Sequence, residues 1–126
     1  MNTVPPLALY GIPSCDTVKR ARAWLAGQGL SVPFHDFKKQ GVPAAALDQW
    51  LQAVGWQLLI NRQGTTWRKL APPEQAAVVD ATSARALALV QPSVIKRPVV
   101  EWPGGDVTVG WQAMIDRAGR ETVRSR

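Results

Sequence analysis

Apolar residues along this chain fall into short runs punctuated by glycine, proline and polar clusters, and their spacing alternates between two periods. Leu7-Ala8-Leu9-Tyr10 is a continuous apolar run of strand length. The turn residues Gly11-Ile12-Pro13-Ser14 follow it. From position 16 the period becomes helical: Val18, Ala21 and Leu25 share one face with Trp24 beside them, and Gly27 and Gly29 stand where a helix over 16–28 would end. Residues 32–36 alternate as a short strand before a polar turn at 38–41. The order strand, helix, strand over the first 36 residues predicts a parallel pair joined by a right-handed crossover.

The middle of the chain is helical. Pro43 opens a helix over 44–54 whose apolar stripe is Leu47, Trp50, Leu51 and Val54, and Gly55 stops it. Short helical turns are predicted at 56–60 and 65–70, and Pro72-Pro73 opens another that runs to 79. Asp80 or Thr82 caps a further helix carrying Ala84, Leu87, Ala88 and Gln91, which Pro92 ends. Two β-rich runs follow, 94–102 and 107–111, joined by Pro103-Gly104-Gly105-Asp106. The glycines supply the positive φ that a tight hairpin demands. A last amphipathic helix covers 111–118. The whole predicts an α/β fold in which helices cover a four-stranded mixed sheet with a helical insertion.

Composition narrows the class. With 126 residues, 46% of them hydrophobic, the chain is expected to form one domain with a real core, not a disordered segment. Its core is expected at about 7–118, with 119–126 a flexible basic tail. A single cysteine excludes an internal disulfide framework and a cysteine-rich zinc site. The opening residues have no basic segment leading into an apolar one, so no signal peptide is expected, and no apolar run approaches membrane-spanning length. A cytoplasmic protein is the expectation. The net charge of +6 raises the question of nucleic acid. The basic residues are scattered in ones and twos and no recognition motif accompanies them, so nucleic acid is not expected as a partner.

The candidate chemistry lies at Cys15. It follows the first predicted strand and opens the first predicted helix. A thiol there faces unpaired backbone N–H groups and the positive end of the helix dipole, which favour the reactive thiolate. The competing role is that of a small buried hydrophobe. Asp16 disfavours the thiolate by its charge, and Lys19, one turn on, offsets it if the ammonium folds back toward the sulfur. The only histidine, His35, falls in or near the second strand and is assigned a structural role. The tryptophans are read as packing, with Trp67 and Trp111 as candidate pocket walls.

Three separated segments, Tyr10-Gly11-Ile12-Pro13-Ser14-Cys15-Asp16-Thr17, Leu59-Ile60-Asn61-Arg62 and Val94-Ile95-Lys96-Arg97-Pro98-Val99-Val100, together resemble the arsenate reductase (ArsC)/Spx family, most of all its YffB-type branch. The resemblance covers about residues 7–118 and implies a thioredoxin-like, glutaredoxin-like fold. It implies that Cys15 is the nucleophile, that Arg62 and Arg97 gather around it, and that the Arg97-Pro98 bond is cis with Pro98 beside the sulfur. The arsenate reductases of the family carry a histidine where this chain has Gly11, and a third arginine beyond the hairpin that this chain lacks. The Spx regulators carry a second cysteine where this chain has Val18.

The expectation that follows is a glutathione-dependent thiol–disulfide reductase acting through Cys15, with Arg62, Arg97, Pro98 and Lys19 forming the substrate site. Arginine's planar fork suits a carboxylate or an oxyanion, and glutathione carries two carboxylates. The partners expected are glutathione and a small-molecule or protein disulfide or oxyanion. The protein is expected to be a monomer with no metal and no prosthetic group. Two alternatives stand beside this: glutaredoxin-linked arsenate reduction, and a non-enzymatic Spx-like module that binds a macromolecule.

Overall fold

The elements run, in the computed structural model, β1 (Ala8–Gly11), α1 (Asp16–Gly27), β2 (Phe34–Asp36), α2 (Phe37–Gln40), α3 (Ala44–Val54), α4 (Trp56–Leu59), α5 (Thr65–Arg68), α6 (Pro72–Ala76), α7 (Ala81–Val90), β3 (Val99–Glu101), β4 (Val107–Val109) and α8 (Trp111–Arg124). The structure describes residues 5–124, with side chains to 119. The chain forms two compact units, one made of the residues up to Asp36 with those from Arg97 onward, the other of Phe37–Lys96.

The first unit holds the sheet, in the order β2-β1-β3-β4. β1 and β2 are parallel, as the strand–helix–strand reading requires, and the β1–β3 and β3–β4 pairs are antiparallel. Leu9 lies opposite Phe34 on one side and Val100 on the other, and Val100 opposite Thr108. Because side chains alternate across a strand, this row faces α1 and α8. Leu9 and Val100 pack there with Val18, Ala21, Leu25, Trp102, Met114 and Ala118 into one buried cluster, with Phe34 half-buried against it. Each large apolar side chain so buried stabilises the fold by about 1.5–3 kcal/mol. The next row, Tyr10, His35 and Val99, takes the opposite face. The Tyr10 and His35 rings lie tilted against each other with centroids 5.0 Å apart, and the Tyr10 hydroxyl donates to Glu101 at 3.2 Å.

The β3–β4 hairpin forms where the glycines predicted it, with Gly104 and Gly105 at φ 87° and 93°. It is clasped by α8: Arg117, only 5% exposed, donates through Nε to Asp106 at 2.8 Å, and its guanidinium lies 5.1 Å from the Trp102 ring centroid. Asp106 is 58% exposed, so the arginine is the partner at risk. Asp106→Ala leaves a buried guanidinium short of its carboxylate and is expected to cost about 1–3 kcal/mol. Arg117→Met removes the buried charge itself and is expected to cost less. Thermal melts of the two variants check this ranking, and a wild-type melting temperature for Asp106→Ala would refute it.

The second unit is the helical insertion. Leu47 and Trp50 of α3, Leu59 of α4, and Ala84 and Ala88 of α7 are buried in it, with Phe37 and Trp50 rings 6.1 Å apart. Asp80 caps α7 by accepting from the Ser83 N–H at 2.9 Å. Ile60 bridges Ile95, which ties the loop bearing Arg62 to the segment before Arg97.

Three readings are corrected. The run 94–102 is not one strand: Pro92–Val94 is a 3-10 turn and β3 begins only at Val99. The polar turn at 38–41 is mostly the single-turn helix α2. The last helix does not stop at 118, and its backbone continues through the expected basic tail to Arg124, residues 125 and 126 lying outside the described residues. Among the described residues no helix is long and apolar enough to cross a membrane.

Candidate active site at the amino end of helix α1

β1 and β4 point the same way, because each is antiparallel to β3 between them. The helices that follow them, α1 and α8, therefore start at one end of the sheet, where β3 begins. This brings three chain segments together: the turn from Gly11 to Cys15, the Arg97-Pro98 dipeptide, and Gly110-Trp111. The Gly110 N–H donates to the Pro98 carbonyl at 2.9 Å. The Arg97-Pro98 bond is cis, as the resemblance implied, and Pro98 is fully buried.

Cys15 is the N-cap of α1, with φ −71° and ψ 125°. Its N–H donates to the Ile12 carbonyl at 3.0 Å, closing the turn, and its carbonyl accepts the first helical bond from Lys19 N–H at 2.9 Å. The side chain is half-buried against the core cluster. Burial pushes the thiol up. The Val18 N–H, then the hydrogen bond and charge of the Arg97 guanidinium, then the Thr17 N–H act the other way and prevail, so the thiol sits below its ordinary value. No cap hydrogen bond of standard geometry joins sulfur to the first turn, so those N–H groups act in looser geometry. The thiol is thus packed partly against the core and held below its ordinary value.

The other expected site residues are placed as follows. Arg97 reaches the sulfur and Pro98 lies next to it in sequence. Lys19 is exposed, its ammonium bonds to no described residue, and the lowered thiol owes nothing to it. Arg62 is an exposed residue of the second unit, its guanidinium 5.8 Å from the Trp56 ring centroid. His35 lies on the sheet face away from α1. Among the described residues no cluster of His, Cys, Asp and Glu could hold a metal ion.

Two features escaped the sequence reading. Gly11 is buried, and a Cβ there would lie 2.7 Å from Val18 Cγ2, so the position that bears histidine in the arsenate reductases has no room for a side chain here. Trp111 opens α8 with its ring edge-on to Trp24 at 6.5 Å and beneath Arg20 at 4.0 Å. The first signal was visible as the pairing of a strand-end glycine with a valine one turn into the helix. The second needed the tertiary fold.

The chain is similar to known proteins over most of its length. The ArsC family matches residues 10–117. The solved structure of a YffB protein is 44% identical, with a TM-score of 0.80 over 88% of this chain and 96% of that one. An arsenate reductase (ArsC) related protein from Brucella melitensis is 50% identical, with a TM-score of 0.67 over 82% of this chain and 84% of that one. An uncharacterized protein of Haemophilus influenzae is 36% identical over 94 residues, covering 75% of this chain and 82% of its own length. With its thioredoxin-like sheet, its thiol at the start of α1 and this match over most of its length, the chain is a member of the ArsC family, a family of thiol-based reductases.

Proposed function

We propose that this protein is a glutathione-linked thiol–disulfide reductase with Cys15 as its nucleophile. The observation that carries the reading is the Arg97 guanidinium set against the thiol of the residue at the N-cap of α1. The Cys15 thiolate attacks one sulfur of a substrate disulfide, forming a mixed disulfide, and the departing thiolate leaves with the bonding electron pair. The chain has no second cysteine, so the resolving thiol comes from outside. A glutathione thiolate attacks the Cys15 sulfur and releases the second half of the substrate. A second glutathione thiolate then attacks the glutathione sulfur, giving glutathione disulfide and the free Cys15 thiolate. Two thiols supply the two electrons that reduce one disulfide.

In this reading Arg97 holds the thiolate and then faces the anionic part of glutathione, and Pro98 shapes the wall beside the sulfur. Arsenate is the less favoured substrate, because the stretch from Asp106 to Trp111 lacks the third arginine of the arsenate reductases.

The test is turnover of a small neutral disulfide by glutathione, coupled to glutathione reductase and NADPH. NADPH consumption proportional to protein concentration is expected, with no comparable rate when arsenate and glutaredoxin replace the disulfide. A reversed order of rates would favour arsenate reduction. No rate with either substrate, in a protein whose thiol still alkylates readily, would favour a binding module.

A further inference from the structure

The outer face of α1 carries more positive charge than the thiol chemistry uses. Lys19, Arg20 and Arg22 are all exposed, and the only carboxylate on this face is Asp16. At 100° per residue Lys19 stands at the middle of the face and the two arginines on its flanks. Among the described residues, none of the three makes an ion pair or a side-chain hydrogen bond.

The two arginines are nonetheless ordered. The Arg20 guanidinium lies over the Trp111 ring at 4.0 Å, and that of Arg22 over the Phe34 ring at 4.1 Å. Trp111 is itself braced edge-on by Trp24, and both aromatic anchors pack on the buried cluster. A guanidinium stacked on a ring keeps its N–H edges free, and part of the entropy of fixing it is lost before any ligand arrives. The helix rise puts Arg20 about 7.5 Å and Arg22 about 10 Å along the axis from Cys15. These cations spread over both flanks of the helix that starts at the thiol, a wider span than one small thiol needs.

From this we infer that α1 docks an acidic segment of a protein partner, whose own disulfide or thiol lies within a few residues of its carboxylates. The inference rests on the reductase reading for its chemistry and names the class of protein substrate that reading would serve. Charge complementarity selects the occupant: the two forked cations stand on opposite flanks of α1, about 200° apart around it and about 3 Å apart along it with Lys19 between, and match carboxylates spread along a peptide that crosses the helix.

The experiment separates docking from chemistry. Binding is measured in the Cys15→Ser protein by fluorescence anisotropy of a labelled peptide bearing four glutamates around a serine, against its lysine counterpart. Exchange is measured with Cys15 intact, using the same peptides with cysteine at that serine position, joined in a disulfide to 2-thiopyridine. The Cys15 thiolate attacks the peptide sulfur and expels the chromogenic thiopyridine with the electron pair.

At low salt the acidic peptide is expected to exchange about tenfold faster than the lysine peptide, an advantage that falls toward unity as salt screens the charges. The double variant Arg20→Gln/Arg22→Gln is expected to lose about fivefold or more of both binding and that advantage. Its rate with a small neutral disulfide is expected to stay at the wild-type value. An advantage untouched by the double variant would overturn the inference, because other cations would then be steering the peptide. Equal displacement of the peptide by single-stranded DNA of the same charge would also overturn it, in favour of a general polyanion surface. Binding of the acidic peptide without exchange of any disulfide would leave the docking face standing and refute the reductase reading instead.

Discussion

Cys15→Ser is expected to abolish disulfide reduction completely, and Arg97→Met to slow alkylation of Cys15 about tenfold at neutral pH. The first follows from arithmetic: the chain has one cysteine, and a serine hydroxyl cannot form the mixed disulfide. The second follows from the forces on the sulfur. Burial opposes the charge, and the Val18 N–H, the Arg97 guanidinium and the Thr17 N–H oppose burial. Arg97→Met removes a hydrogen bond to a charged group, worth about 1.5–3 kcal/mol, and keeps the bulk of the side chain. Partial exposure of the site places the effect at the low end, near a factor of ten in thiolate population.

Iodoacetamide rates against pH check both variants. The wild-type profile is expected to turn over below the pH of an ordinary thiol, the Arg97→Met profile higher, and Cys15→Ser to show no labelling. Superimposed wild-type and Arg97→Met profiles would remove the arginine from the mechanism. The same shift has a stability signature of definite sign. Between the folded and unfolded thiol values the unfolded chain binds more protons, so stability rises with pH through that window. This contribution is present above the unfolded value and is lost as pH falls through the folded one. Cys15→Ser removes it, which flattens stability against pH in the same range.

The parts of the fold that the sequence made legible are those bounded by strong punctuation. α3 falls on 44–54 because Pro43 precedes it and Gly55, at φ 83°, ends it. β1, the turn and α1 were readable for the same reason. The run 94–102 misled because β-branched residues report burial as readily as strand pairing. Val94, Ile95, Val99 and Val100 are all buried, yet only the last two lie in β3. α2 is a single turn, too short to show a period. At the site, Cys15 could be read locally, from a turn running into a helix. Its contact with Arg97 joins residues far apart in sequence and came only from the family resemblance. The stacking of Arg20 on Trp111 had no local signature, since it depends on α1 and α8 starting at one end of the sheet.

Gly11→Ala is expected to destabilise the protein by about 1–3 kcal/mol, and Gly11→His by more. The added Cβ would lie 2.7 Å from Val18 Cγ2, and Val18 is fully buried, so the clash has no solvent to relax into. Gly11 ends β1 and Val18 lies in the first turn of α1, so relief requires that turn to move away from the strand, carrying Cys15 with it. Val18→Ala alone also destabilises, by leaving a cavity. Combined with Gly11→Ala, however, each substitution removes part of the other's penalty, and the double variant is expected to lose less than the sum of the singles. Denaturant melts of the four proteins give this coupling directly. Strict additivity would show that the two positions do not compete for the same space. A coupling accompanied by recovery of Cys15 alkylation would show that the glycine–valine pair sets the distance between strand and helix on which the thiol's position depends. It would also explain in steric terms why this chain lacks the histidine of its arsenate-reducing relatives: the residue that excludes it is the valine standing where the Spx regulators keep their second cysteine.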